Sequence, residues 1–304
     1  MGFTYNVKLP GFNKEVWAKE ICSKDYRDLI KSLYNNDFSS YVIHSNNVIE
    51  HIVPGILHEG LNVLDKLILL VNARAVSVSP DLKVKAVCKQ TNKEFDYTLQ
   101  LDTVFDKLSN ITYKNTTNFK NITVEYSIIK AQDEIHFLEE DLELLYVYQL
   151  ASSVDTVTVD DKVLNFRELN FKERCDIVEK FPIQLNNIIL KALYETELKV
   201  SQNKLLFIES PYSKTPAVDL PLSTDINIIL QFGKLLFTDD LNNIYRLIYN
   251  LVSKLHFQGD YLDKLAPAEL YLYWSLYLQE NQKASETTQN NMPSYGGSTF
   301  NPDA

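Results

Sequence analysis

Between residues 23 and 101 the apolar positions change period, and few folds accommodate that change. In YRDLIKSLYNN, Tyr26, Leu29, Ile30, Leu33 and Tyr34 recur at helical spacing behind Ser23-Lys24-Asp25, a candidate cap, and Asn35-Asn36-Asp37 ends the run. SYVIHSNNVIEHIV, stopped by Pro54-Gly55, predicts a second helix. GLNVLDKLILLVNARAVS predicts a third, with Leu61, Leu64, Leu67, Ile68 and Val71 on one broad apolar face. From Val76 to Leu101 the apolar residues alternate instead: the turn KQTNKE divides VSVSPDLKVKAVC from FDYTLQL, which predicts strand, turn and strand. A chain that does both in separate stretches is α+β.

The flanks extend this reading. FTYNVKLPGFNKEVWAKEI alternates on both sides of Pro10-Gly11-Phe12-Asn13, the pattern of a hairpin. DKLSNITYKNTTNFK reads as polar and irregular, and NITVEYSIIKA as a strand. DEIHFLEEDLELLYVYQLA reads as a helix from about Asp133 with acids crowding its first turns, where the helix dipole favours them. TVTVDDKVLNF predicts a small hairpin turning at Asp160-Asp161. The composition shifts near residue 151, and the main internal boundary is expected there. Beyond it RELNFKERCDIVEKFP and LNNIILKALYETELKV predict helices, KLLFIESPYS a lone strand, and STDINIILQFGKLLF, DDLNNIYRLIYNLVSKLHF and APAELYLYWSLYLQENQ three closing helices. SETTQNNMPSYGGSTFNPDA has no apolar periodicity and is expected to be disordered. The expected architecture is therefore α+β. Residues 1–151 form an α+β domain with a hairpin, helices and a small antiparallel sheet; residues 152–284 form a mainly α-helical domain; residues 285–304 form a tail.

Composition excludes several functions. With 304 residues the chain buries roughly 75% of its unfolded surface on folding, so its core needs no disulfide or metal. Cys22, Cys88 and Cys175 are odd in number and far apart, which speaks against a disulfide framework and points to a reducing compartment. Against 40 acidic residues stand 30 basic ones, a net charge of -10, and only Arg27, Arg74, Arg167, Arg174 and Arg246 are arginine; nucleic-acid recognition is not expected. The longest apolar run, Leu67 to Val71, falls far short of the ~20 residues of a membrane span, and MGFTYNVKLPGF has no apolar signal core. Asn6 stands where N-myristoylation after Met1-Gly2 wants Ser or Thr. The chain has 8 glycines and no G-x-G-x-x-G, G-x4-G-K-[ST] or G-x-S-x-G motif.

The residues able to carry chemistry are few. His44, His51 and His58 recur every seven positions near Glu50 and Glu59, but Pro54-Gly55 breaks the helix that would align them as metal ligands. His136 lies in DEIHFLEED, not in H-E-x-x-H, and reads as part of a solvated helix start. Arg174 and Lys172 flank Cys175 and could lower its thiol pKa, though an inert buried cysteine is the commoner case. Asn110, Asn115 and Asn121 each open a glycosylation sequon; without a secretory signal they carry no sugar. Tyr271, Tyr273, Trp274 and Tyr277 are too dense for one helix face, so some of them meet either a neighbouring helix or a partner.

Three segments carry a resemblance: Asn72-Ala-Arg74 running into Ser77, Ser79 and Pro80 before the strand-turn-strand; LNFRELNFKERCDIVEKFP; and DKLAPAELYLYWSLYLQ. In this order, covering most of residues 1–284, the chain resembles the baseplate hub assembly proteins of T4-like contractile-tailed bacteriophages. Some members of that family place a cysteine pair in the strand-turn-strand; here Cys88 stands alone and Thr91 takes the second position, so no zinc is expected. The resemblance implies a non-enzymatic tail protein without cofactor. It would act as a structural subunit or assembly factor of the central hub, or as a tape-measure-binding assembly chaperone absent from the virion. Its partners would be other hub or tail proteins, and it would be found in the tail baseplate or, during assembly, in the host cytoplasm. The alternative from another class is a hydrolase or metal-dependent enzyme using the acids near His136 or the His44 to His58 segment. The net charge implies that polar contacts would be made with a basic or mixed surface.

Overall fold

The computed structural model describes residues 4–108, 114–138, 144–237 and 241–290. The first hairpin pairs β1 (Thr4–Leu9) with β2 (Lys14–Lys19). Period-two alternation turns Val7, Leu9, Val16 and Ala18 inward and leaves their neighbours wet. Three helices follow: α1 (Ser23–Tyr34), α2 (Phe38–Ile52) and α3 (Val63–Ser77). Asp37 caps α2 through Ser40 N (2.9 Å), and Asn62 caps α3 through Asp65 N (2.8 Å). The start of α1 differs from expectation. Cys22 is its N-cap and makes no side-chain cap bond. Its first N–H groups find distant carbonyls instead: Ser23 N donates to Leu265 O (2.7 Å) and Lys24 N to Asp263 O (3.2 Å), while Arg27 Nη2 donates to Asp263 Oδ1 (2.5 Å).

Helix α3 is buried on every side from Val63 to Val71, not along one face. It also continues past Val76 to Ser77, into the stretch whose alternation predicted a strand. Arg74 Nη1 holds Ser79 O (2.9 Å) and Ser79 Oγ accepts from Asp81 N (3.1 Å), so the chain turns at Ser79 and β3 (Asp81–Val87) begins afterwards, paired with β4 (Glu94–Gln100). The segment read as irregular, residues 106–120, takes in the end of α4 (Leu101–Leu108) and all of β5 (Asn115–Phe119), and its residues 109–113 lie outside the described residues.

A four-stranded antiparallel sheet runs in the order β5, β6 (Ile122–Tyr126), β7 (Val154–Val159), β8 (Lys162–Asn165). Asp160 and Asp161, with φ of 46° and 65°, make the tight turn between the last two strands. Helices α5 (Leu145–Ser153), α6 (Phe171–Val178) and α7 (Ile183–Ser201) pack with this sheet around Val124, Leu150, Phe166, Leu185 and Ile189. The pairing of β6 with β7 crosses residue 151, so the packing does not part where the composition shifts. The larger core likewise joins Val7 and Leu67 to Leu205, Phe232 and Ile244.

The strand predicted to be alone, β9 (Lys204–Ile208), pairs with β10 (Val218–Pro221) from the proline-bearing loop. Helix α8 (Ile226–Leu236) then enters the main core. At Gly233 an added Cβ would lie 2.4 Å from the Oη of buried Tyr41, so only glycine allows this approach. The chain closes with α9 (Leu241–Leu255), the short α10 (Gly259–Leu262) and α11 (Pro267–Asn290), which share a small core of Leu247, Leu251, Leu262 and Leu270. Helix α11 passes Ser285, where the sequence predicted disorder to begin; residues 291–304 of that expected tail lie outside the described residues. Among the described residues no helix is long and apolar enough to cross a membrane.

Candidate interaction surface

Among the described residues, a buried cluster of charges and a run of exposed apolar side chains both go against the usual sorting of polar and apolar groups. The charges lie around a 3-10 segment, Ala131–Leu138, where a helix with a solvated acidic start was predicted. Its acids are buried. Glu134 pairs with Lys66 of α3. The Asp133 carboxylate takes two 2.7 Å bonds from the Arg174 guanidinium of α6, which also donates to Ala151 O (3.3 Å) and lies over the Phe171 ring at 5.2 Å. Lys130, equally buried, donates to Ser152 O (3.0 Å) and Val154 O (2.6 Å), with Asp155 at 3.4 Å. Burial pushes the Lys66 and Lys130 ammonium groups down and the Glu134 carboxyl up, and each acquired partner opposes that shift. Runs of 3-10 helix this long are uncommon, and paired buried charges on both sides hold this one in place. The segment bolts α3 of the larger core to α6 of the second.

The residues singled out from sequence scatter around this frame. His136 stacks flat on Phe171, with ring centroids 3.9 Å apart, and Asp133 and Glu134 beside it are engaged by Arg174 and Lys66, while Glu139, Glu140 and Asp141 lie outside the described residues. His51 Nδ1 meets Asp25 Oδ2 at 2.8 Å on the surface, while Glu50 accepts from Gly55 N (2.5 Å) and Glu59 pairs with Lys14. His44 sits half-buried on α2, and exposed His58 follows the helix break. Among the described residues no three His, Cys, Asp or Glu side chains come together as a metal site. Burial raises the Cys175 thiol to about 11 despite the adjacent Arg174, which gives the inert form. The Cys88 side chain reaches Ser213 Oγ at 3.4 Å; the Ser210, Ser213 and Thr91 hydroxyls draw its thiol down to about 6, while its closed surroundings oppose them. Asn115 begins β5 and Asn121 sits at the turn before β6; Asn110 lies outside the described residues.

The exposed apolar run lies in the layer of α9 to α11, where large apolar side chains face water. Tyr245, Tyr249 and Val252 repeat at i, i+4 and i+7 along α9, with Tyr249 69% exposed. On α11 Tyr271, Leu272, Leu276 and Leu278 are exposed, Leu272 by 55%. Tyr271 lies near the buried Arg74 guanidinium, whose pKa burial lowers to about 10. The other three aromatics are half-buried: Tyr273 leans on Phe257 (5.1 Å), and Trp274 stacks on Tyr277 (5.2 Å). The dense aromatic run thus serves both purposes, part of it packing within the chain and part remaining outside. Sequence reading missed the leucines and the α9 stripe, although the i, i+4, i+7 spacing of Tyr245, Tyr249 and Val252 was visible. It missed Lys66 too, whose position inside the apolar run VLDKLILLV marks a charge that must find a buried partner.

Fold and surface together define a helix-rich α+β protein, tied internally by buried ion pairs and offering an apolar face at its C-terminal helices. A family model described as T4 bacteriophage base plate protein matches residues 2–204, more than half of the chain, and the chain belongs to that family. It is a structural protein of the phage tail baseplate. No curated protein and no solved structure matches it. The α9 to α11 layer lies after the matched stretch.

Proposed function

We propose that this protein is a non-enzymatic subunit of the central hub of a contractile tail baseplate, and that it docks on other hub or tail proteins through the α9 to α11 face. The observation that carries this reading is that Tyr249, Leu272, Leu276 and Leu278 stand exposed on two helices that pack on each other, where a partner could cover them. The sequence resemblance to hub assembly proteins supplies the hub. Tyr271 and the Trp274–Tyr277 stack would bury against a partner together with Leu272 and Leu276, an aromatic and aliphatic set suited to a hot spot.

Copurification from infected cells tests the proposal. Tagged wild-type protein should bring down hub components or the tape-measure protein, and a Leu272→Asp, Leu276→Asp variant that keeps its wild-type circular dichroism should bring down neither. Undiminished copurification by the variant would remove the face from the argument, and failure of the wild type to retain any tail component would remove the hub. Mass spectrometry of purified virions then assigns the role: a permanent subunit is present, an assembly chaperone absent.

A further inference from the structure

A groove of about 790 Å³ opens between α5, α7 and the start of α8, within the ~300–1,000 Å³ of built binding sites. Its floor includes the buried side chains of Ile129, Leu193 and Ile226, while Leu145, Tyr146 and Tyr194 stand exposed on its rim, Tyr194 by 63%. One end is polar. Glu197 accepts from Thr224 N (2.8 Å), Thr224 Oγ1 (2.6 Å) and Ser223 Oγ (2.5 Å), and the exposed Asp225 caps α8 through Asn227 N (2.8 Å). Asp225 takes one free donor of α8 and Glu197 is held just ahead of the helix, so both place negative charge near its positive end. They are the charged side chains lining the groove among the described residues; no lysine or arginine joins them.

We infer that this groove receives an amphipathic helix of another tail protein, with apolar anchors on one face and lysine or arginine beside them. The apolar floor and exposed rim suit anchors at i, i+3, i+4 and i+7, which fill such grooves from a single helix. The acidic end selects basic flanking residues. A second copy of this chain fits poorly, since it carries the same net charge of -10. The groove is separate from the α9 to α11 face, but the inference rests on the proposed role as a subunit among other tail proteins.

The test uses the full chain and two synthetic helical peptides with leucines at identical positions, one with lysine and the other with glutamate at the remaining positions, followed by fluorescence anisotropy. The lysine peptide should bind saturably and at least about tenfold more tightly than the glutamate peptide. A Tyr146→Ser, Tyr194→Ser variant, altered only at exposed positions, should bind it about tenfold more weakly, and Asp225→Asn should narrow the gap between the peptides. The Leu272→Asp, Leu276→Asp variant should bind it like the wild type, so failure of the groove and failure of the hub-docking face give different results. Equal binding of both peptides, binding without saturation, or unchanged affinity in the tyrosine variant would each overturn the inference. Self-association that the tyrosine variant abolishes would make the occupant a second copy. Binding that emerges only after removal of residues 291–304 would make it the chain's own end. Either outcome also overturns it.

Discussion

Around Ala131–Leu138 carboxylates and ammonium groups are sealed from water, whereas the α9 to α11 layer leaves leucine and tyrosine side chains in it. The contrast separates two demands on one chain. A buried ion must have its partner, because desolvation outweighs anything a lone charge recovers; removing one member of a pair at this junction is therefore costly. An exposed leucine costs the fold little and can be replaced with little penalty to it, so the α9 to α11 layer tolerates changes that the junction does not.

The sharpest way to break the comparison is Arg174→Ala, which leaves Asp133 buried without its bidentate partner. A loss of about 3–5 kcal/mol in urea unfolding is expected, enough to unfold a marginal chain at 37 °C. Lys66→Met should cost less, about 2–3 kcal/mol at neutral pH, because methionine fills similar space and Glu134 can take up a proton. That loss depends on pH. Burial already raises the Glu134 carboxyl and Lys66 opposes the shift; without Lys66 the folded pKa rises further above the unfolded value. The folded variant then holds a proton that the unfolded chain releases, so its stability is retained below the unfolded carboxylate range and declines as pH rises from about 4.3 toward the folded pKa. Denaturation midpoints at pH 5 and pH 8 should show the variant closer to wild type at the lower pH.

Gly233→Ala tests packing in the larger core without touching charge. Alanine normally favours a helix by up to ~1 kcal/mol over glycine, but its Cβ meets the buried Tyr41 ring, so a net loss of about 1–3 kcal/mol is expected in thermal melts. At the other pole, Leu276→Ser should shift stability by no more than about 0.5 kcal/mol while weakening copurification with tail components. The smallest effect expected is a gain. Asp161→Gly at φ 65° relieves a left-handed aspartate, offset by the flexibility of glycine, for a net of roughly 0.5 kcal/mol.

What was legible in the sequence was what local pattern decides. The first hairpin alternates with period two, α2 stops at Pro54-Gly55, and Asp160-Asp161 turns β7 into β8, each for reasons confined to a few neighbouring residues. What was not legible depends on contacts across the fold. In β5 the sequence NTTNF has one apolar residue; it is a strand because β6 pairs with it, aided by Thr117 Oγ1 against Tyr126 Oη (2.9 Å) and Thr123 Oγ1 donating to Asn118 Oδ1 (2.8 Å). Asp133 and Glu134 look like a solvated helix start until Arg174 and Lys66 are placed beside them, from 41 and 68 residues away. At the candidate surface the aromatic run of α11 was visible, but its division between inside and outside was set by Phe257, Tyr261 and the small core beneath.

The opening of α1 has a consequence for the protein as it is made. Its unsatisfied N–H groups are closed by carbonyls at Asp263 and Leu265, the latter 242 residues downstream of Ser23. At ~5–20 residues per second a ribosome takes roughly 12–50 s to deliver that acceptor after the helix itself has emerged. Throughout that interval α1 waits with a bare end, and translation must approach α11 before the opening of α1 is finished.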